Sequence, residues 1–344
     1  MRWLASALVA AASLSACAAE WEEPTLDNRE AEGSADLIEE PVAFAPRFTG
    51  EGSGRVEQRY GLPVGDGSGV ADLLDLIGSA STDFLVASGD EPAGDVCSSI
   101  AVSPRLPMTI TGVVSLASQK YLKVPVCGQD ERFYASFVVE DDTGGIVVLR
   151  DGRVSEFDFG DHVRLTVRGI IEPYPGQKYV VISDTEKLEG SSEVRYTPSD
   201  VAFADADLGR TLRVSGYVLQ EPTSSNFNAM VVSNRPLPEA GEGASTAVCR
   251  ENCAGTCRAK CPSDSANTLC VERICPAACA GGASFNVDLL PTACWNVSLE
   301  QELGRRGVKV LLGSRISVTA PVVSGFGGLQ QWVVRTGQIE TVSE

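Results

Sequence analysis

The sequence predicts an all-β protein made of two small closed or partly closed β-barrels in tandem, with a small disulfide-rich α-helical hairpin inserted in the second. Three observations carry this expectation. From Arg105 onward, apolar and polar residues alternate with period two between turn signals. One strand pattern then recurs along the chain. Finally, eight cysteines crowd the C-terminal third, several of them at four-residue steps.

In the first module (105–190), strands are expected at Pro107–Leu116, Phe133–Glu140, Gly145–Arg150, Asp161–Ile171 and Gln177–Leu188. Asp151-Gly152, Phe159-Gly160-Asp161 and Pro173-Tyr174-Pro175-Gly176 supply the turns between them. Five short strands with a glycine early in the first, Gly112, suit a small barrel.

The second module (208–344) repeats this order. Thr109-Ile110-Thr111-Gly112-Val113-Val114 aligns with Arg213-Val214-Ser215-Gly216-Tyr217-Val218 at one constant offset. Gly160, Val163, Leu165, Thr166, Ile170, Gln177, Tyr179, Val180 and Val181 align with Gly313, Ile316, Val318, Thr319, Val323, Gln330, Trp332, Val333 and Val334 at a larger one, without a gap. The difference between the offsets places an insertion between the early and late strands of the second copy, and the cysteine-rich run 245–282 lies in that window.

The order Thr-Gly-Val-Val, Phe133-Tyr134, Glu140-Asp141-Asp142-Thr143-Gly144-Gly145-Ile146 and Gly160-Asp161-His162-Val163-Arg164-Leu165-Thr166-Val167-Arg168-Gly169 resembles OB-fold domains of exported bacterial proteins, some of which carry a nuclease on the same chain. The second copy lacks the Asp-Asp-Thr-Gly-Gly element, so its membership rests on the repeat. The resemblance implies architecture, and a fold of many uses implies little about function.

The N-terminus indicates export. Arg2 precedes a short apolar core, Leu4 to Leu14, ending in Leu14-Ser15-Ala16-Cys17. This pattern resembles the bacterial lipobox, which implies a signal peptide at 1–16 and lipidation of Cys17. Multiple acyl chains, palmitate among them, would anchor the protein stably. Ala18, rather than Asp, implies by the same resemblance the outer membrane of a bacterial cell envelope. Residues 17–104 then read as an acidic and Gly-rich tether with a short amphipathic helix between Val70 and Leu85. From Ala18 to Pro46, nine carboxylates stand against Arg29 alone, a segment that repels itself and has little to bury.

Ten cysteines remain beyond Cys17, an even number in an exported chain, and this points to disulfides. Cys97 and Cys127 flank the first strand and are expected to pair. Cys249, Cys253, Cys257 and Cys261 step by four, as do Cys275 and Cys279, so helices over Cys249–Cys261 and Cys270–Cys279 would each carry a stripe of sulfur. Neighbours on one stripe point in parallel, so bonds should run between the helices, with Cys294 tying the hairpin to the barrel; the connectivity stays open. A zinc or iron–sulfur site is the competing reading, against which stands the absence of C-x2-C spacing.

Composition narrows the function. The chain has 344 residues, 46 acidic and 28 basic side chains, and a formal charge of −18, which makes nucleic acid an unlikely partner. Neither module carries a basic excess, though Arg150, Arg153, Arg164 and Arg168 could form a local basic patch in the first. One histidine, His162, leaves any His-dependent triad a single base, and no G-x-S-x-G elbow accompanies it. It is read as an exposed strand-end residue. Asp141 and Asp142 beside the glycine turn could ligate Ca²⁺ or serve a metal-dependent hydrolase, but the preferred reading is a turn capped by Asp and Thr. Gly65-Asp66-Gly67-Ser68-Gly69 lacks the strand and Gly-Lys-Ser/Thr of a phosphate loop and reads as linker. No catalytic residue, metal ligand or cofactor is assigned. Tyr121 and Tyr134 are the candidate ligand-binding residues, because the outer face of the middle strands is where OB-folds bind. The expectation is a non-enzymatic envelope lipoprotein, membrane-attached through its N-terminal lipid, presenting binding modules to a protein or glycan partner. The alternative is a single-stranded nucleic-acid-binding accessory of an exported nuclease.

Overall fold

The computed structural model describes residues 48–50, 60, 62, 69–79, 84–89, 100–117, 121–125, 131–151, 157–174, 177–222, 229–236, 243–261, 264–279, 283–289, 310–325 and 328–342. The expected signal peptide, Cys17, residues 65–68 of the linker, Cys97, Cys127 and Cys294 lie outside them.

The chain is mostly β. Its strands are β1 (Phe48–Gly50), β2 (Phe84–Val86), β3 (Ile100–Val102), β4 (Met108–Leu116), β5 (Tyr121–Pro125), β6 (Glu131–Glu140), β7 (Gly145–Asp151), β8 (Asp161–Tyr174), β9 (Gln177–Ser191), β10 (Val194–Ser199), β11 (Thr211–Gln220), β12 (Ala229–Ser233), β13 (Ser284–Leu289), β14 (Arg315–Gly325), β15 (Gly328–Val333) and β16 (Ile339–Thr341). The helices are α1 (Val70–Ser79), α2 (Gly243–Lys260), α3 (Asp264–Leu269) and α4 (Cys275–Ala278).

In the first sheet, β4 pairs with β6, β6 with β7, β7 with β9 in parallel, and β9 with β8, which returns to β4. This closes a five-stranded OB-like barrel with a single parallel contact. Strands β2 and β3 extend it along β8, and β5 lies beside β6. In the second sheet the pairings run β11–β12–β13–β15–β14–β11, with β13–β15 parallel. The connectivity is the same. Strands β10 and β16 add to its edges, and β1 pairs with β10.

Local details repeat as well. Gly112 pairs with Val163, and Gly216 with Ile316. A Cβ on Gly112 would lie 2.6 Å from the Glu140 carbonyl oxygen, and one on Gly216 would lie 2.6 Å from that of Ser233. Both first strands carry a register shift, at Val114/Leu116 and Val218/Gln220. Gly160 and Gly313 both have φ near +80° and donate their N–H groups to Val114 and Val218 at 2.9 and 2.8 Å. A positive φ is costly for any residue with a Cβ, which explains glycine at both positions.

Inward-facing side chains fill each barrel, Ile110, Val148 and Leu165 in the first, Val214, Val318 and Met230 in the second. Helix α1 belongs to the first core through Val70, Leu73, Leu76 and Ile77. Ten residues are too few for a stable isolated helix, so this burial, about 1.5–3 kcal/mol per side chain, holds α1. A third apolar cluster joins the outer face of the first barrel (Leu116, Val138, Val147, Leu149) to Val323 and Trp332 of the second sheet and to Val334 just after β15.

Between β12 and β13 the chain forms a helical hairpin. The bonds are Cys249–Cys279, Cys253–Cys275 and Cys257–Cys270, a nested antiparallel ladder running between the helices. Helix α2 supplies its cysteines at steps of four. The returning segment supplies them at steps of four and then five. The five-residue step is spanned by a π-helical stretch, Cys270–Ile274, whose wider turn keeps Cys270 on the same face as Cys275. The expected second helix, Cys270–Cys279, thus starts earlier, at Asp264, and is not uniformly α. Cys261 is a correction: it was expected in a disulfide, yet among the described residues its thiol is free. One turn beyond Cys257, the position opposite it on the returning helix falls near Ala266, where the sequence offers no sulfur.

Candidate functional site

The hairpin turn between β6 and β7 brings together most of the acidic residues singled out in the sequence. Asp141 Oδ1 accepts from the Thr143 N–H (2.7 Å), the Thr143 hydroxyl (2.6 Å) and the Gly144 N–H (2.9 Å). Its Oδ2 accepts from the N–H of Val70, the first residue of α1, at 2.7 Å. The Thr143 hydroxyl oxygen accepts the next helical N–H, that of Ala71, at 2.9 Å. Asp72 reaches back to the Gly69 N–H at 2.9 Å. The opening N–H groups of α1 have no partner within the helix, and these oxygens supply it. The turn is therefore a capping device, and Asp142, which accepts from the Tyr60 N–H at 2.5 Å, belongs to the same network.

His162 is the second residue of β8 and is half-buried, not exposed as the sequence suggested. Its Nε2 lies 2.7 Å from the Ser192 hydroxyl, a neighbour that sequence reasoning missed because the two are thirty residues apart. Burial lowers its pKa below the ordinary 6.5, and the nearby Asp161 carboxylate only partly opposes this. That carboxylate accepts from Lys187 Nζ at 2.7 Å and from the Asp158 N–H at 2.8 Å, with no hydrogen bond to the imidazole. A serine–histidine pair without an orienting third group does not make a triad. Arg164, from the basic group noted in the sequence, is bound to Glu186 at 2.5 Å.

On the outer face of β6, Ser136 and Val138 have no exposed surface, and Val138 packs in the cluster containing Trp332 and Val334. This part of the face where OB-folds bind is covered by the second sheet. The backbone pairs Tyr121 with Ala135 and Tyr134 with Leu122; the side chains of both tyrosines lie outside the described residues.

An open groove of about 400 Å³ lies instead on the second sheet. Strand β11 alternates, with Val214, Gly216 and Val218 turned inward and Arg213, Ser215 and Tyr217 turned outward. The end of β10 with Asp200 forms one wall, and Asn234 and Arg315 complete it. Arg213 is committed: it donates to the Tyr196 hydroxyl (3.3 Å), the Ser317 hydroxyl (3.1 Å) and the Glu340 carboxylate. Burial acts to lower its pKa, but Tyr196 and Glu340 outweigh this and hold it above the ordinary arginine value. Arg315 differs. It pairs with Tyr217 in register, is exposed, and places its guanidinium 5.8 Å from the ring centroid, where that group makes no hydrogen bond or ion pair among the described residues.

No family model matches the chain, and no curated protein matches it. Among solved structures, it is similar to a chain of a replication protein A heterotrimer bound to ssDNA, at 12% identity and a TM-score of 0.28, over 70% of this chain. The chain spans about half (49%) of that one's length. It is also similar to the single-stranded DNA binding protein from Thermus aquaticus, at 10% identity and a TM-score of 0.18, over 69% of this chain and 92% of that one. Scores this low carry no argument about ligand.

Proposed function

We propose that the protein is an exported, lipid-anchored binding protein of the bacterial cell envelope, without enzymatic activity of its own. Two tandem OB-type barrels, the second carrying the disulfide-stapled hairpin as an insertion, present a rigid surface to an envelope protein or a glycan. The observation that carries this reading is the three-rung cystine ladder, of a kind that forms and persists in oxidising compartments and is rare in the cytosol. It agrees with the export signal ending at Cys17. The shared apolar cluster around Trp332 supports a module that acts as one piece. The occupied oxygens of Asp141 and the unoriented His162 favour binding over catalysis.

The test is to express the full chain in a Gram-negative host with labelled palmitate. The label is expected in the membrane fraction for the wild type and to be absent for Cys17→Ser, whose protein is released into the periplasm. Crosslinking in intact envelopes then identifies the partner. An unlabelled wild type, or one found with reduced cysteines in the cytoplasm, would overturn the reading.

A further inference from the structure

We infer that the groove on the outer face of β11 is a binding site for a short saccharide bearing one anionic group. The inference rests on the reading of the chain as a binding protein and names the ligand class. The aromatic platform is Tyr217, half-buried on β11, with Arg315 directly across the strand pair and its guanidinium over the ring. A guanidinium stacked on a ring is held in place while its N–H groups stay available for an anion. Arg315 is free to take that role, since it has no carboxylate partner among the described residues, whereas Arg213 beside it is engaged at each of its three nitrogens by Tyr196, Ser317 and Glu340.

The remaining lining selects hydroxyls. Asp200, Ser215 and Asn234 are exposed and face the same space, and together they can accept and donate hydrogen bonds to vicinal hydroxyl groups. An acidic side chain within the groove works against a polyanion, as does the net charge of −18. One anionic substituent on a ring carrying several hydroxyls fits the mixture of one uncommitted cation held on an aromatic ring, one carboxylate and an amide. A cavity of about 400 Å³ is within the range of small-molecule sites and holds one to two sugar rings.

The experiment is a calorimetric titration of the full-chain protein in detergent with galacturonate, galactose 6-phosphate, neutral galactose and a short oligothymidylate. Binding of either acidic sugar is expected in the millimolar range or tighter, with the neutral sugar at least tenfold weaker. The two acidic arms tell a carboxylate source from a phosphate source. Arg315→Gln is expected to weaken the acidic sugar roughly tenfold. Tyr217→Ala should abolish binding, while Tyr217→Phe retains it. Arg315 is exposed, so its replacement leaves the fold intact, as an unchanged melting temperature would verify. Acidic sugars that fail to bind, or bind equally to Arg315→Gln, would overturn the assignment, as would displacement of the sugar by oligothymidylate. A chain that is lipidated and crosslinks to an envelope partner, yet ignores every sugar, would sink the groove and leave the proposed function standing.

Discussion

Thr211 donates its hydroxyl to the carboxylate of Glu140 at a point where neither side chain has exposed surface. The two belong to different sheets, Glu140 at the end of β6 and Thr211 at the start of β11. The bond therefore helps to join the barrels. A buried carboxylate that loses a donor keeps its full desolvation cost. Thr211→Val is expected to destabilise the protein by about 1–3 kcal/mol in urea titrations. Unfolding should stay a single transition, because the Trp332 cluster still links the barrels. Two separate transitions in the wild type would show that the junction is not a shared core.

The backbones meet as closely as the side chains do. A Cβ on Gly145 would lie 1.9 Å from the carbonyl oxygen of Gly209, which itself has φ +75°. The contact is with backbone, not with a side chain that could swing away. Gly145→Ala is expected to cost about 3 kcal/mol through overpacking. Gly78→Ala is the control, since a Cβ there meets nothing within 4 Å and the residue is helical. It should stabilise by about 0.5 kcal/mol. Melting curves of the two variants should move in opposite directions.

Asp141 can be assigned by substitution and by metal. With four donors on its two oxygens, one of them the first N–H of α1, Asp141→Ala is expected to cost about 2 kcal/mol. Asp141→Asn should cost less, because one acceptor oxygen remains. Millimolar CaCl₂ should leave the melting temperature of the wild type unchanged. A rise that is lost in Asp141→Asn would restore the calcium reading.

Much of the fold was legible because barrel strands report themselves by alternation. The expected strand Asp161–Ile171 is the body of β8, and Gly112 and Gly216 sit at matching crowded positions. The cystine ladder was legible in type because four-residue steps define a helical face, while the π-helical step at Cys270–Ile274 has no local signal; it follows from where Cys257 must reach. Strands β2, β3 and β5 escaped notice because three to five residues give too little alternation to stand out. The groove was illegible for another reason. Arg315 and Tyr217 are ninety-eight positions apart and meet only through the antiparallel register of β11 and β14. Likewise, nothing in the alternation of β6 says that Ser136 is buried or that Val138 joins a cluster shared with a second sheet.

The ladder predicts how the hairpin melts. Cys257, Cys275 and Cys279 are buried, but much of α2 is exposed, and its sequence is polar on average. Few apolar contacts then remain to hold the helices once the sulfurs part. Reduction is expected to remove helical circular dichroism and open residues 243–279 to protease, leaving the β signal intact. Non-reducing peptide maps should return Cys249–Cys279, Cys253–Cys275 and Cys257–Cys270. Retention of helicity after full reduction would mean that packing, not the cystines, holds the hairpin.

His162 links stability to pH. Burial disfavours its imidazolium, and Asp161 offsets this only in part, so the folded protein takes up the proton below the ordinary pKa of 6.5. Between the folded value and 6.5 the unfolded chain holds more protons, and stability therefore rises with pH across that window. The contribution is complete above 6.5 and declines as pH falls through the folded value. Its size is modest, because the ring is only partly buried and solvent screens it. The Ser192 hydroxyl can accept from the imidazolium as well as from the neutral ring, so the balance of desolvation against Asp161 sets the sign. In urea titrations at pH 7.5, 6.5 and 5.5, the stability of the wild type relative to His162→Gln should decrease on acidification. A margin that grows instead would mean that Asp161 outweighs burial and that the folded protein prefers the charged ring.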